Sequence, residues 1–215
     1  MYKLYYFPGN ANLAPHMLLE EIGAPYELVL VDRDSNEHKS AQYLKLNPTG
    51  RIPVLIDGDL VLFEAAAICL HLADRYPEAE LAPAPGSDER AEFYKWLIYL
   101  TNTLQAELIT YFYPERLTGD EAAAAQVKAH AQERISGAGG MLDIIENQLA
   151  QSGAWLLGAR YSAADPYLMM LARWTRGMAH PARSRTHLGR YLEAMAARPA
   201  VQRAFEKEGL KPPLY

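Results

Sequence analysis

The chain has 215 residues, of which half are hydrophobic and 22% are charged, and its formal net charge is −5. This length suits one large domain or two small ones, and it is sufficient to bury a core without disulfides or metals. The negative charge argues against bulk nucleic-acid binding. A single cysteine excludes a disulfide framework and a multi-cysteine metal site. Without a signal-peptide pattern in MYKLYYFPGN or an apolar run that spans a membrane, we expect a cytoplasmic globular protein.

The first residues predict a strand, a helix and a second strand. Residues 3–7 are mostly aromatic and end at a turn, which is typical of a short strand. Apolar residues recur at helical spacing over 13–22, and Gly23 follows as a helix stop. Residues 26–31 form a second apolar run. Three such elements within about 30 residues indicate a βαβ unit, whose two strands run parallel.

The next segment predicts a short helix, a hairpin and a longer helix. The short helix ends near residues 47–50, and the runs at 52–56 and 60–63 flank an Asp-Gly-Asp turn that is typical of a hairpin. Residues 64–75 follow with helical spacing and end at Pro77. The order of elements to this point is βαβαββα.

The remainder of the chain predicts helices and no convincing strand. The linker-like stretch 77–86 holds three prolines and a glycine. We predict helices at 88–113, 120–150, 162–178, 186–197 and 199–208. The third helix starts with Ser162–Asp165, a capping-box pattern in which the serine caps the Asp165 amide and the carboxylate reaches back. We expect an α+β protein with an α/β domain at 1–77, a linker at 78–86 and an all-helical bundle domain at 87–215.

Two positions suggest a binding site for an extended, anionic ligand. Pro53 falls in an expected interior strand, where it would delete a ladder hydrogen bond. Either the Ile52–Pro53 peptide is cis and turns the Ile52 backbone outward to pair with a peptide ligand, or Pro53 belongs to an edge strand. Glu64 and Ala65 open a helix whose free N–H groups suit a carboxylate, although Glu64 is also a favourable first-turn acid.

The turn at residues 8–12 carries two asparagines, Asn10 and Asn12. Their side-chain amides can donate to an anion at the start of the following helix, or they can simply cap that helix. Cys69 is expected to be an inert packing residue, and His71 a surface or packing residue. The glycine cluster at 137–140 has no preceding strand and indicates a helix kink or a close helix contact rather than a phosphate loop.

Residues 173–203 contain seven arginines against a single acid, Glu193. This pattern fits either a solvated helical face or a docking surface for an anionic partner. The arginines are Arg173, Arg176, Arg183, Arg185, Arg190, Arg198 and Arg203.

The order and spacing of these segments resemble the glutathione S-transferase superfamily over the whole chain, with beta-class and phi-class features. The markers are KLYY, NANLAPHMLLEEIGAPYE, EHKSAQYLKLNPTGRIPVL, FEAAAICLHLADRYP and the capping element at 162–165. The resemblance implies a thioredoxin-like domain followed by a helical domain. It implies a detoxification enzyme that stabilises the thiolate of glutathione, its co-substrate, and conjugates it to a small hydrophobic electrophile. It also implies a homodimer formed through 88–113, with no metal, nucleic acid or membrane.

The resemblance also assigns the binding of glutathione. The backbone of Ile52, before Pro53, would pair with the cysteinyl part, and Glu64 with the Ala65 amide would hold the γ-glutamyl end. The implied binding residues are His38, Lys39, Arg51, Ile52, Pro53, Glu64, Ala65 and Gln105, of which the first three meet the glycyl end.

The chain departs from the family at its reactive position. The beta-class cysteine falls at Ala11, the phi-class serine at Asn10, and a beta-class histidine at Gln105. We therefore predict that Asn10 donates to the thiolate and that Asn12 supports the turn. A hydrophobic pocket for the electrophile is expected beside the turn, unless its aromatic residues belong to the core. The candidates for its wall are Tyr111, Phe112, Tyr113 and Trp174.

The same sequence features are compatible with a second function. The fold is shared by non-catalytic adaptors that resemble the bacterial stringent starvation proteins and bind a protein partner. Ala65 in place of the usual serine, the missing nucleophile and the arginine-rich stretch favour an adaptor. Glu64, Ile52–Pro53 and His38–Lys39 favour a working glutathione site. Fold alone does not decide between these functions.

Overall fold

A four-stranded sheet forms the centre of the first part of the molecule. The computed structural model describes all residues, 1–215. The strands lie in the order β2-β1-β3-β4, with β1 parallel to β2 and antiparallel to β3, and β3 antiparallel to β4. Their bounds are Tyr2–Tyr6 for β1, Tyr26–Leu30 for β2, Val54–Asp57 for β3 and Leu60–Phe63 for β4. The predicted βαβ unit and hairpin are confirmed.

Three helices accompany the sheet: α1 at Leu13–Ile22, α2 at Ala41–Leu44 and α3 at Ala65–Arg75. The C-terminus of α1 is closed by Gly23, which has a φ of 72° and donates its N–H to the carbonyl of Leu19. A left-handed glycine at this position satisfies a carbonyl that the helix leaves free. The predicted helix 13–22 is confirmed.

The boundaries around β3 and α3 differ from the expected ones. β3 begins at Val54, not at residue 52, because Pro53 has no N–H to donate to a strand ladder. The Ile52–Pro53 peptide is cis, as the first of the two interpretations of Pro53 predicted, and pairing of the Ile52 backbone with a ligand stays a prediction. α3 begins at Ala65, because Glu64 has a φ of 72° and lies outside the helical region.

Seven helices form the second part. They are α4 at Asp88–Ile98, α5 at Ala106–Phe112, α6 at Glu121–Ser136, α7 at Met141–Ser152, α8 at Ala164–Trp174, α9 at Thr186–Ala197 and α10 at Pro199–Lys207. A π-helical segment, Tyr99–Gln105, joins α4 to α5, so the predicted helix 88–113 is continuous almost to its end. Only two isolated bridges occur in place of strands, at Trp155–Gly158 and Leu157–Arg160.

The predicted helix 120–150 is wrong, because the glycine cluster divides it into α6 and α7. Gly139 has a φ of 71°, which favours glycine and ends helical geometry. A Cβ atom on Gly140 would lie 2.8 Å from the carbonyl oxygen of Arg134. The glycines therefore end one helix and allow the chain to pass close to it, instead of kinking a continuous helix.

The capping element before α8 is confirmed in one of its two halves. The Asp165 carboxylate accepts the N–H of Ser162 at 2.8 Å, as predicted. The Ser162 hydroxyl accepts the N–H of Ala164 at 3.3 Å and not that of Asp165, which donates to the Ser162 carbonyl. Asp165 also accepts from the N–H of Leu156 and the hydroxyl of Tyr191, so it ties α8 to the preceding loop and to α9.

One hydrophobic core runs through both parts of the molecule. α1 lies at its centre, because it packs against α3 on one side and against α8 and α10 on the other. The turn at residues 8–12, between β1 and α1, is thereby placed at the junction of the sheet part and the helical part. None of the helices combines the length and the hydrophobicity needed to cross a membrane.

Candidate active site

A cavity of about 700 Å³ opens between the sheet part and the helical part. The sheet part contributes the turn after β1, the loop after β2, the segment before β3 and the start of α3. The helical part contributes the π-helical segment, α5 and α8. The predicted site residues that line the cavity are Asn10, His38, Lys39, Arg51, Ile52, Pro53, Glu64, Ala65, Gln105, Tyr113 and Trp174.

The start of α3 faces this cavity without a side-chain cap. Glu64 precedes the helix and is not a first-turn acid, and its side chain makes no capping hydrogen bond. Glu64 and Ala65 both line the cavity. The uncapped N–H groups of a helix start carry partial positive charge, which suits a carboxylate.

A basic edge of the cavity lies beside the segment before β3. Lys39 is packed against Gly50, because a Cβ atom on Gly50 would lie 2.7 Å from the Lys39 Nζ. Nδ1 of His38 is buried and has no hydrogen-bond partner. Burial, followed by the charges of Arg33 and Lys39, lowers the pKa of His38, so its ring is neutral at pH 7. The basic edge therefore offers the charges of Lys39 and Arg51 beside a neutral imidazole.

The two asparagines of the turn have different positions. Asn10 lines the cavity, and its Oδ1 accepts the N–H of Ala11 at 2.8 Å, which leaves its Nδ2 as a donor for a ligand. Asn12 is wholly buried outside the cavity. Its Oδ1 accepts the N–H of Phe7 at 3.1 Å, and its Nδ2 donates to Glu208 at 2.9 Å. Asn12 thus supports the turn and does not reach a ligand in the cavity.

The aromatic wall is smaller than predicted. Tyr113 and Trp174 line the cavity, whereas Tyr111 packs against the core and Phe112 is 41% exposed with its ring edge-on to Trp174. The indole Nε1 of Trp174 donates to the carbonyl of Gly9 at 3.0 Å, so the wall is tied to the turn. Tyr111 and Phe112 are therefore removed from the predicted pocket.

Gln105 projects into the cavity from the π-helical segment. Its Oε1 accepts the hydroxyl of Tyr167, which also lines the cavity. With the oxygen used in this way, the amide nitrogen of Gln105 is the group that can donate to a ligand.

Comparison with known proteins identifies the family. The family model described as "Glutathione S-transferase, N-terminal domain" matches residues 1–74. The chain is 30% identical over 211 residues to glutathione S-transferase GstA of Escherichia coli O157:H7, covering 97% of this chain and 100% of the relative. The chain belongs to the glutathione S-transferase family. It is also 33% identical to glutathione S-transferase 3 of Zea mays, with 98% of this chain and 96% of that protein covered.

Solved structures of glutathione transferases share the whole fold. A homologue from Sulfitobacter with bound glutathione superimposes with a TM-score of 0.88 at 27% identity, covering 98% of this chain and 99% of that one. A glutathione transferase from Methylococcus capsulatus reaches a TM-score of 0.82 at 35% identity, with 98% and 100% covered. The predicted fold class, a thioredoxin-like part followed by a helical part, is confirmed.

Some residues of this transferase's cavity were not predicted. On the helical side, Thr101, Asn102 and Ile109 lie three or four residues from Gln105 in the chain, so helical spacing from Gln105 was a usable signal for them. Arg33 lies in a turn and Arg116 at the end of a short 3-10 helix, and neither carries a sequence signal. The unpredicted lining residues are Arg33, Asn47, Thr49, Gly50, Thr101, Asn102, Ala106, Ile109, Arg116 and Tyr167.

The turn that carries Asn10 is held by Glu208, which follows α10. Oε2 of Glu208 accepts the N–H of Gly9 at 2.7 Å, and Oε1 accepts Nδ2 of Asn12. Oε1 also lies 2.7 Å from Nδ1 of His16, and both side chains are completely buried. Because a carboxylate only accepts, His16 donates from Nδ1. No sequence signal links residues this far apart in the chain.

Six of the seven arginines of the arginine-rich stretch donate hydrogen bonds within the protein, so the stretch is more than a solvated helical face, and docking of an anionic partner stays a prediction. The buried Arg173 donates to the carbonyls of Pro213 and Leu214 and holds the C-terminal residues. Arg203 donates to Glu20 on α1. Arg176, Arg183 and Arg203 are exposed although they donate such bonds, and Arg190 is exposed and donates none. The arginines that donate hydrogen bonds within the protein are Arg173, Arg176, Arg183, Arg185, Arg198 and Arg203.

Cys69 and His71 of α3 have structural roles. Cys69 is fully buried, and burial raises the pKa of its thiol, so the thiol is unreactive at neutral pH. His71 lies 2.9 Å from the carboxylate of Asp57 at the hairpin turn.

Proposed function

We propose that this protein binds glutathione in the cavity, stabilises its thiolate and conjugates it to a small hydrophobic electrophile. The observation that carries the proposal is the convergence on one cavity of the start of α3, the basic edge and the free amide of Asn10. The Sulfitobacter homologue that contains bound glutathione has the same fold over almost the whole chain.

Each end of glutathione has a matching part of the cavity in this proposal. The γ-glutamyl carboxylate meets the N–H groups at the start of α3, and its ammonium meets the carboxylate of Glu64. The backbone of Ile52 pairs with the cysteinyl residue. The glycyl carboxylate meets the basic edge of His38, Lys39 and Arg51, which supplies positive charge and hydrogen-bond donors. Pro53 and Gln105 complete the walls around the ligand.

The thiolate is stabilised by Asn10. A free thiol has a pKa of about 8.5 and is only a few per cent ionised at pH 7. The Nδ2 group of Asn10 is kept in one orientation by the bond from the Ala11 N–H to its Oδ1. A donor held in this way lowers the pKa of a bound thiol without reorganising, and one such donor is worth about 10- to 100-fold in rate.

Calorimetric titration with glutathione at pH 6.5 and pH 8 tests the proposal, together with Asn10→Ala. Wild-type protein is expected to bind glutathione and to release protons at pH 6.5. Asn10→Ala is expected to lower kcat about tenfold or more and to raise the pKa of the bound thiol. Asn147→Ala, at an exposed position on α7, is the control. Unchanged turnover and an unchanged pH profile in Asn10→Ala would contradict the role of this residue.

The electrophile binds beside Tyr113 and Trp174 in this proposal, because apolar and aromatic walls suit small hydrophobic ligands. Aryl halides, dehalogenation substrates, isomerisation substrates and peroxides are the classes to screen. A cytoplasmic location and a role in detoxification belong to the same proposal. Cell fractionation and the sensitivity of a deletion strain to electrophiles test them.

The alternative function is a non-catalytic adaptor that binds a protein partner. Its support from the arginine-rich stretch is weakened, since all but one of those arginines make hydrogen bonds within the protein. The absence of a serine at position 65 still favours it. No binding at millimolar glutathione in the titration would favour the adaptor over the enzyme.

We also propose that the protein is a homodimer formed through the helical segment 88–113. Tyr94 and Ile98 support this, since they are 44% and 55% exposed and lie four residues apart on one face of α4. Ile98→Glu is expected to give a monomer in sedimentation, because a charge would be buried in the interface. Ile144→Glu, at an equally exposed position on α7, should remain dimeric. A dimeric Ile98→Glu variant would contradict the proposed interface.

A further inference from the structure

The cavity is more basic than glutathione requires. Four arginine or lysine residues line it, and Glu64 is its only acidic residue, although the chain as a whole has a net charge of −5. Glutathione brings two carboxylates and one ammonium, and Glu64 is matched to the ammonium. The cations of the lining are Arg33, Lys39, Arg51 and Arg116.

Two of these cations share one aromatic side chain, although the charge of Arg33 also acts on His38 at the basic edge. Lys39 and Arg51 belong to the basic edge on the sheet side. Arg33 and Arg116 instead meet at Tyr113, directly after α5. Nη2 of Arg33 donates to the hydroxyl of Tyr113 at 3.3 Å. The guanidinium carbon of Arg116 lies 3.8 Å from the centre of the Tyr113 ring. Arg33 and Arg116 therefore lie at the wall assigned to the electrophile.

Neither of the two arginines at Tyr113 has a carboxylate partner. The ion pairs of the protein involve neither Arg33 nor Arg116. Asp32, which adjoins Arg33 in the chain, accepts the N–H groups of Asp34 and Ser35 instead. Two guanidinium groups that line a concave site and lack a carboxylate partner attract an anion and can bind a carboxylate with paired hydrogen bonds.

We propose that the electrophile carries a carboxylate on an apolar body, and that Arg33 and Arg116 bind this carboxylate. This inference rests on the proposed function and names the substrate class of the same cavity. The apolar body lies against Trp174 and Ile109, which line the cavity. With an aryl halide, the thiolate sulfur forms a bond to the ring carbon, the halide leaves with its bonding electron pair, and the thiol proton passes to solvent.

A matched pair of substrates tests this class. 4-Chloro-3,5-dinitrobenzoate and its methyl ester differ only in the group opposite the chlorine, which is a charged carboxylate in one and a neutral ester in the other. Each enzymatic kcat/KM is divided by the spontaneous rate constant with glutathione at the same pH, which removes the intrinsic difference in reactivity. We expect this ratio to favour the carboxylate about tenfold, because a charge-assisted hydrogen bond is lost with the ester. An equal or smaller ratio for the carboxylate would overturn the inference.

Substitution of the arginines tests whether they make this distinction. Arg116→Gln and Arg33→Gln are each expected to lower the carboxylate-to-ester preference about tenfold. Arg190→Gln is the control, because Arg190 is an exposed arginine outside the cavity, and it should keep the wild-type preference. If Arg33→Gln weakens the binding of glutathione itself as much as that of the carboxylate substrate, Arg33 serves glutathione and its assignment is overturned.

Binding of the two reaction products separates this inference from the proposed function without any turnover. The S-aryl conjugates of glutathione, as free carboxylate and as methyl ester, are titrated beside glutathione. Tighter binding of the carboxylate conjugate supports the inference. If the two conjugates bind equally tightly and glutathione itself also binds, the inference is overturned and the proposed function stands. If neither glutathione nor a conjugate binds, both are overturned.

Discussion

At the scale of single residues, Asn10 and Asn12 show how position decides the role of a side chain. Both belong to one turn, and both carry an amide that can donate and accept. Asn10 keeps a free donor in the cavity because its oxygen is occupied by the N–H of Ala11. Asn12 uses both of its polar atoms on Phe7 and Glu208. The difference comes from Glu208, which approaches the turn from α10 and is available only to Asn12.

We predict that Glu208→Gln destabilises the protein and lowers turnover. The carboxylate accepts three N–H donors on two oxygens, whereas a glutamine offers one oxygen and turns an N–H₂ group toward a donor. A buried donor without a partner costs about 1–3 kcal/mol, which urea unfolding measures. The turn that carries Asn10 should also shift, so kcat should fall and the pKa of the bound thiol should rise.

Glu206→Gln is the matched control for this prediction. Glu206 is exposed in α10, two residues before Glu208, and the substitution removes the same charge, so stability and turnover should stay near wild type. A Glu208→Gln protein that loses stability but keeps its kcat and its pH profile would show that Glu208 has no positioning role.

At the scale of elements, the contact between α1 and α10 depends on an ion-pair network around the buried Glu20. Glu20 of α1 accepts hydrogen bonds from Arg203 at 2.6 Å, from Lys207, and from the hydroxyl of Tyr26. Burial alone is the largest single effect and would raise the pKa of Glu20, but these three donors together lower it from 4.5 to about 2. The ionised form of Glu20 is therefore stabilised by folding.

The stabilisation by Glu20 is predicted to disappear in acid. Because its pKa is lower in the folded state than in the unfolded state, the contribution is complete above about pH 4.5 and is lost as the pH falls toward 2. Lys207 and Arg203 are half exposed, which screens the pairs and limits the contribution to about 2 kcal/mol. The difference in unfolding free energy between wild type and Glu20→Gln should therefore be about 2 kcal/mol at pH 6 and should shrink below pH 4.5.

Glu27→Gln serves as the control for the pH experiment. Glu27 forms one ion pair with Lys3, and both side chains are about half exposed. Such pairs contribute about 0–1 kcal/mol, so this variant should follow the wild-type curve closely. A pH-independent difference between wild type and Glu20→Gln would contradict the low pKa of Glu20.

At the scale of the whole molecule, the shared core should make the two parts unfold together. α1 packs on the sheet side against α3 and on the helical side against α8 and α10, so neither part buries its core alone. Two local probes test this prediction. The tryptophans Trp96, Trp155 and Trp174 all lie in the helical part, and the buried thiol of Cys69 lies in α3. We expect fluorescence and thiol accessibility to change at the same urea concentration.

Separate transitions of the two probes would contradict this prediction and would indicate that the sheet part and the helical part unfold independently. The variant Glu208→Gln provides a second test, because the substitution weakens the junction between the end of α10 and the turn at residues 8–12. If the junction couples the two parts, both probes should shift together in this variant as well.

The sequence by itself determined the order of the elements and the local parts of the site. Helix 186–197 matches α9, and the βαβ unit and the hairpin follow from spacing and turn residues. The cis peptide before Pro53 was one of two predicted alternatives, and the helix predicted over 64–75 begins one residue later than expected. Such features are predictable because periodicity, capping and proline chemistry act between residues that are close in the chain.

The tertiary structure decided which side chains meet. It placed Glu208 against the turn of Asn10 and brought Arg33 and Arg116 together at Tyr113. It also gave six of the seven arginines of the arginine-rich stretch hydrogen-bond acceptors within the protein. It also removed Tyr111 and Phe112 from the cavity, although they adjoin Tyr113 in the chain. These outcomes depend on which faces of distant helices pack against α1 and the sheet. Local spacing does not encode that packing, because it arises only when the whole core is formed.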